Sequence, residues 1–226
     1  GEAEALDSLI NLQADGLVLC GPRLPNETLA EYTVRTPIVG ISIFGEPSYL
    51  DTVCNHEAHG AQLAVDHLLE LGHERIAHIH AAPAAGGPER RTGFIDAMVN
   101  RGLAPILVEG DFTEEAGANG ADQLLSLREP PTAILAGNDL AAVGVLGRLT
   151  ALGVRVPEDV SVVGYDDTLL ASISATSLTT VHQPRQVIGR RSLELLVERM
   201  QGRTEAVHEL VEPWLVTRSS TGPVPG

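Results

Sequence analysis

The stretch from Ala136 to Asp167, AGNDLAAVGVLGRLTALGVRVPEDVSVVGYDD, constrains the fold more than any other part of this chain. It closes one strand, builds a whole helix and opens the next strand. Ile134 to Ala136 end a short apolar run, Asn138 and Asp139 stand where an N-cap is expected, and Ala142, Val145 and Leu149 recur at helical spacing. Gly153 then supplies a left-handed stop, Pro157 follows it, and Val160 to Val163 form a second apolar run bounded by Gly164. In an open α/β sheet, ligands sit outside the carboxyl ends of the strands, where Gly137-Asn138-Asp139 and Tyr165-Asp166-Asp167 both fall.

The same alternation runs through the rest of the chain. The pattern predicts a helix over residues 2–13, a strand over 17–20, a second helix near 27–33 and a strand over 37–42. A helix over 59–71 stops at Gly72 and is followed by a strand over 75–80. An Ala/Gly/Pro-rich loop over 81–88 leads to a helix over 91–100, a strand over 106–109, a helix over 114–127 behind the cap Thr113, and a strand over 132–136. The strand candidates between Arg75 and Val181 predict a parallel sheet with right-handed crossovers, a complete Rossmann-like lobe over residues 56–181. Residues 1–55 plus the returning piece 182–226 supply too few elements for a second complete lobe. That N-terminal lobe is expected to be partial, with a first β-α-β absent.

Charge limits what this segment can hold. Thirty acidic residues against fifteen basic ones, all arginine, give a formal charge of −15. Binding to nucleic acid rests on neutralising phosphates, so this segment is not expected to hold DNA by itself. Cys20 and Cys54 are too few for a disulfide framework, and no signal peptide or apolar run long enough for a membrane span is present, which points to a reducing cytoplasm. No GxSxG, Walker A or HExxH motif suggests an enzyme. His56 and His59 share a helix face and His78 and His80 one side of a strand, but without a supporting Cys or carboxylate motif they do not make a metal site, and no cofactor is expected.

Six segments in a fixed order resemble the LacI/GalR family of bacterial transcription repressors. Leu71 to Ala77 is similar to the family's LGHxxIA, Arg90 to Phe94 to its RxxGF, and Gly110-Asp111-Phe112 to a G-D-aromatic motif. The Ala136 to Asp167 stretch, Leu178 to Pro184 (LTTVxQP) and Val216 to Thr221 (VxRxST) complete the set, with Ser177 replacing the proline that precedes LTT in the family. The resemblance implies two Rossmann-like lobes of the type I periplasmic-binding-protein-like fold. It further implies the effector-sensing core of a homodimeric repressor, with a sugar-like ligand in the cleft between lobes and operator DNA bound by a helix-turn-helix headpiece outside this chain. A transport-type sugar-binding protein of the same fold is the alternative.

Ligand candidates follow from chemistry and resemblance together, each against a plainer role. The resemblance gives Phe112 as a stacking ring and Arg90 as a guanidinium fork able to hold two vicinal oxygens. Their plainer roles are a ring tucked under its own loop and a solvated first-turn arginine. Asn138 offers a donor and an acceptor and Asp166 accepts from two hydroxyls, against simple capping or turn roles. Gln183 is expected to reach ligand from the crossover between lobes or else to bond backbone, and His80 to line the cleft from a strand's carboxyl end. Asp139 and Asp167 are expected to serve as structural cap and turn residues.

Overall fold

The computed structural model describes residues 1–81 and 85–225, so the middle of the expected loop at 81–88 lies outside the described residues. The chain divides into two compact units, one of Gly1–His56 with Pro184–Val211 and one of Glu57–Gln183 with Glu212–Gly226.

In the first unit a parallel sheet of order β1-β2-β3-β9 is formed by β1 (Leu17–Cys20), β2 (Ile38–Ile41), β3 (Asp51–Asn55) and β9 (His208–Val211). Helices α1 (Glu2–Asn11), α2 (Asn26–Thr33) and α8 (Arg185–Met200) accompany it. Parallel strands are buried on both faces and so read as apolar runs. Val39 and Val53 meet Ile188, Leu195 and Leu196 of α8, while Leu17 and Ile38 pack with Leu6 and Tyr32. A buried carboxylate fastens the unit: Asp51, fully enclosed, takes hydrogen bonds from Arg199, Arg203 and the Val207 amide.

The second unit holds a six-stranded sheet of order β10-β8-β7-β6-β4-β5. Its strands are β4 (Ile76–Ala81), β5 (Ile106–Gly110), β6 (Ala133–Ala136), β7 (Ser161–Asp166), β8 (Thr179–His182) and β10 (Trp214–Val216). All pairs are parallel except β10 with β8. Helices α3 (Glu57–Glu70) and α4 (Gly87–Val99) cover one face, with Phe94 and Met98 against Leu135 and Tyr165. On the other face α5 (Glu114–Leu125) and α6 (Asp139–Ala151) bury Leu124, Val145 and Leu149 against Ile79 and Ile134, and the short α7 (Leu169–Ser172) follows β7. Because β4 lies between β5 and β6, the order of connection reverses there, and a crevice opens outside the carboxyl ends of β4 and β6.

Three boundaries differ from the sequence expectation. Residues 182–226 do not return as one piece to the first unit: Trp214–Val216 pairs antiparallel with β8, which carries residues 212–226 into the second unit. The run WLV is too short for periodicity to reveal. Helix α4 starts at Gly87 rather than Arg91, with Pro88 in its first turn, where a missing amide costs nothing. Helix α3 starts at Glu57, two residues early.

Candidate functional site

Helix packing prepares the place for Arg90. A Cβ on Gly93 would stand 2.3 Å from the Ala58 carbonyl oxygen, so α4 lies directly on the first turn of α3 only because this residue is glycine. That approach brings Arg90, one turn before Gly93, against Glu57, the residue before Ala58. The Arg90 Nε donates to Glu57 Oε2 at 2.8 Å, and the two side chains are 6% and 2% exposed.

The remaining donors of the guanidinium are aimed along the strand ends. One terminal nitrogen donates to the Gly137 carbonyl oxygen at 2.6 Å and the other faces Asp166 Oδ1 at 3.5 Å. Its flat face lies 3.7 Å from the centre of the Tyr165 ring, and the Phe112 ring is 5.2 Å away. Gly137 leaves room for that ring, since a Cβ there would meet Phe112 at 3.3 Å. Burial by itself would weaken the charge on Arg90, but Glu57 and then Asp166 hold the guanidinium protonated.

Asp166 sits on the last residue of β7 with φ of +106°, a backbone region that costs a non-glycine residue about 1–3 kcal/mol. Its Oδ1 accepts from Gln183 Nε2 at 2.6 Å. Burial pushes its carboxyl above the ordinary carboxylate value, with Arg90 and Gln183 opposing the shift and Asp139 and Glu57 adding to it. Asn138 caps α6, its Oδ1 accepting from the Ala141 amide at 2.8 Å, while its Nδ2 makes only a long 3.4 Å contact to the Phe112 carbonyl.

Five of the six expected residues thus form one connected group: Arg90, Phe112, Asn138, Asp166 and Gln183. His80 stands apart from these contacts at the carboxyl end of β4, opposite Glu109 in register, with a buried Nδ1 that meets no hydrogen-bond partner among the described residues. Burial and then the nearby Arg91 lower its pKa.

Two residues escaped the sequence reading. Glu57 looks like any acidic first-turn residue, and Tyr165 like the end of an apolar strand. Only their position against α4 and β7 reveals that they clamp Arg90. Asp139 keeps a structural role but not that of an exposed turn. It is fully buried and accepts from the Thr168 amide, the Thr168 hydroxyl and the Thr180 hydroxyl, tying α6 to the β7–α7 turn and to β8. Asp167 is likewise engaged, by His182 and Arg218.

An open groove of about 1100 Å³ elsewhere on the unit runs between α6 and residues 172–177. Its hydroxyls at Thr176, Ser177, Ser219 and Ser220 already bond protein atoms, so it offers little to a ligand. No group of three or more His, Cys, Asp or Glu among the described residues is placed to hold a metal, and no described helix is long and apolar enough to cross a membrane.

A family model described as a periplasmic binding protein-like domain matches residues 65–221. The HTH-type transcriptional repressor CytR of Escherichia coli strain K12 is 35% identical over 99% of this chain, which spans 67% of CytR. A LacI transcriptional regulator from a Rhodococcus species superposes with a TM-score of 0.97 at 38% identity, covering all of this chain and 85% of that one. The transcriptional regulator CelR in complex with cellobiose gives 0.86 at 31%, over 96% of this chain and 69% of that one. The chain therefore belongs to the periplasmic-binding-protein-like domain family, among the LacI-type transcriptional regulators, and corresponds to their effector-binding core.

Proposed function

We propose that the effector is a neutral sugar, bound on the second unit at the carboxyl ends of its parallel strands. Arg90, Asn138, Asp166 and Gln183 supply the polar contacts, Phe112 the stacking ring, and His80 the lining. The observation that carries this reading is the pairing of Arg90 with a buried Glu57 at 2.8 Å. The cation of the group is neutralised before any ligand arrives, and Asp166 adds a negative charge, so the group repels phosphates and carboxylates while its donors and acceptors suit hydroxyls. A ring beside mixed donors and acceptors is the usual composition of a sugar subsite, and a relative carries cellobiose.

Calorimetry against neutral sugars, sugar phosphates and purines tests the reading. A neutral sugar is expected to bind tightest, and tighter binding of a purine or a phosphorylated sugar overturns the assignment. Turnover of the bound sugar is not expected.

The longer protein is a cytoplasmic, homodimeric repressor whose operator contact lies outside this chain, because a segment of charge −15 cannot neutralise phosphates. Gel-shift measurements are expected to show no operator binding by residues 1–226 and clear binding by a protein that adds a basic headpiece. Exposed Leu169 and Ile173, 80% and 44% accessible, are apolar surface that a second copy would cover. Light scattering at several concentrations reads the dimer directly.

A further inference from the structure

The sole tryptophan of the chain lies next to a histidine at a place where the chain leaves the second unit. Trp214 and His182 are direct partners in the antiparallel β10–β8 pair, and their rings stack with centres 4.0 Å apart and planes 23° from parallel. His182 Nδ1 is 2.7 Å from Asp167 Oδ2, and the other oxygen of Asp167 accepts from Arg218 at 2.7 Å. The next residue, Gln183, is the last of this segment of the unit, and it donates to Asp166. The dipeptide Asp166-Asp167 therefore grips the dipeptide His182-Gln183 at two successive points.

We propose that Asp167, His182 and Trp214 form a proton-operated latch on the end of β8. With the imidazolium present, the Asp167 bond is charge-assisted and the cation rests against the indole face. With the neutral ring the Asp167 carboxylate still accepts a hydrogen bond from the imidazole N–H, but the attraction between opposite charges and the cation–π attraction are both absent, so the latch weakens. Histidine is the side chain that changes charge across the neutral range, so the latch responds to ordinary shifts of pH.

Charged groups reach the ring from each element packed against it. From β7 it meets Asp167 and, in register, Asp166. From the segment after β10 comes Arg218, already held by Asp167 and by the Leu178 carbonyl. On the β10 side Glu212 is engaged with His59 of α3. Burial raises the Asp167 carboxyl, but the bonds from Arg218 and His182 outweigh that and keep it below the ordinary carboxylate value. His182 is a positioning residue, because it bonds Asp167 and bears on Asp166 only through its chain neighbour Gln183. That last link to an effector rests on the function proposed above, whereas the latch itself does not.

The test uses the whole chain and no ligand. Indole emission is quenched by a stacked imidazolium, so tryptophan fluorescence is expected to rise in one step as pH increases from 5 to 8.5. His182→Gln should abolish the step. Asp167→Asn should shrink the step, because the ion pair that holds the charged ring in place is gone. Hydrogen exchange, corrected for intrinsic rates, should show residues 180–183 opening about two- to fivefold more readily at pH 8 than at pH 6, the range that a lost cation–π contact implies. The same ratio in His182→Gln should be close to one. A fluorescence step that survives in His182→Gln, or equal exchange at both pH values in the unaltered chain, overturns the proposal. Because sugar binding enters neither readout, failure of the latch and failure of the sugar assignment remain separate results.

Discussion

Each unit carries one deeply buried arginine–carboxylate network, and the two are built to different ends. In the first unit, Asp51 accepts five hydrogen bonds, three on Oδ1 and two on Oδ2, from Arg199, Arg203 and the Val207 amide. Burial would raise its carboxyl, but the arginines and the amide together hold it at about 2. Every acceptor position is taken, so the group can only be structural. In the second unit, the Gln183 and Arg90 contacts of Asp166 both fall on Oδ1, and Oδ2 makes no hydrogen bond among the described residues. Burial and an ion pair are common to both networks, so what sets the second apart is unspent hydrogen-bonding capacity on Asp166 beside an aromatic ring.

The largest expected effects come from breaking each network at its centre. Arg90→Met leaves Glu57 buried and uncompensated, which should cost about 3–5 kcal/mol of stability and also remove sugar binding. Asp51→Asn leaves two arginines against a neutral amide and should cost a similar 3–5 kcal/mol or so, with sugar affinity unchanged. Urea denaturation with calorimetry on both variants checks the pair. Loss of affinity in Asp51→Asn would break the distinction between the two networks.

Acid should part the units in a definite order. His73 and His78 of the second unit are buried and carry lowered pKa values, His78 at about 3. His78 bonds the Leu135 carbonyl through Nδ1, and His73 contacts Thr132, Ser161 and Gly222. Their folded values lie below those of the unfolded chain, so the unfolded state takes up protons first. The stability they confer is present above about pH 6.5 and is lost as pH falls toward 3, reaching about 2 kcal/mol at pH 5 for His78 alone. Asp139 and Asp166, raised by burial, offset part of this within the same window, since the folded state takes up their protons before the unfolded chain does. Asp51 has the same sign but a lower window: its contribution is intact above about pH 4 and is lost only as pH falls through about 2. Hydrogen exchange followed by mass spectrometry at pH 7.5 and 5 should show the second unit loosening first. The reverse order would mean that histidine burial does not govern its acid stability.

Within the second unit, the comparison narrows to neighbouring carboxylates. Asp166→Ala should weaken sugar binding by about 1–3 kcal/mol, since ligand hydroxyls lose their acceptor, with little change in melting temperature. Phe112→Ala should cost a similar 1–3 kcal/mol or so through lost stacking, less sensitive to hydroxyl stereochemistry. Asp139→Ala should do the opposite, stranding three donors at about 1–3 kcal/mol of stability while affinity holds. An Asp166→Ala variant that melts early and binds normally would reduce Asp166 to a turn residue.

The parallel sheet of the second unit was legible because most of its strands carry a short apolar run, such as Ala133–Ala136 and Val162-Val163, and its helices carry their own stop signals at Gly72 and Gly153. Strand β10 was not, since three residues have no period and their partner β8 lies over thirty positions earlier. Arg90 and Phe112 could be named because the family resemblance gives them, and Asp166 because a carboxylate falls at a strand end. Glu57 could not, because what distinguishes it is the approach of α4 permitted by Gly93, a long-range packing event with no local trace. Asp139 shows the converse. Its local pattern read correctly as structural, but its burial depends on Thr168 and Thr180 and had no signature of its own.

The smallest effect separates capping from recognition at Asn138, where one side chain is asked for both. Its Oδ1 is committed to the Ala141 amide, whereas the long contact from Nδ2 to Phe112 leaves that donor able to turn toward a ligand. Asn138→Ala loses the cap and should lower stability by about 0.5–2 kcal/mol. Asn138→Asp keeps the cap acceptor at the start of α6, where the helix dipole favours a negative charge, so stability should be preserved. The same change removes the amide donor, and sugar affinity should fall by about 0.5–1.5 kcal/mol, the net worth of one hydrogen bond. Affinity equal to that of the unaltered chain in Asn138→Asp would make Asn138 a cap and nothing more, and the polar contacts to a sugar would then rest on Arg90, Asp166 and Gln183.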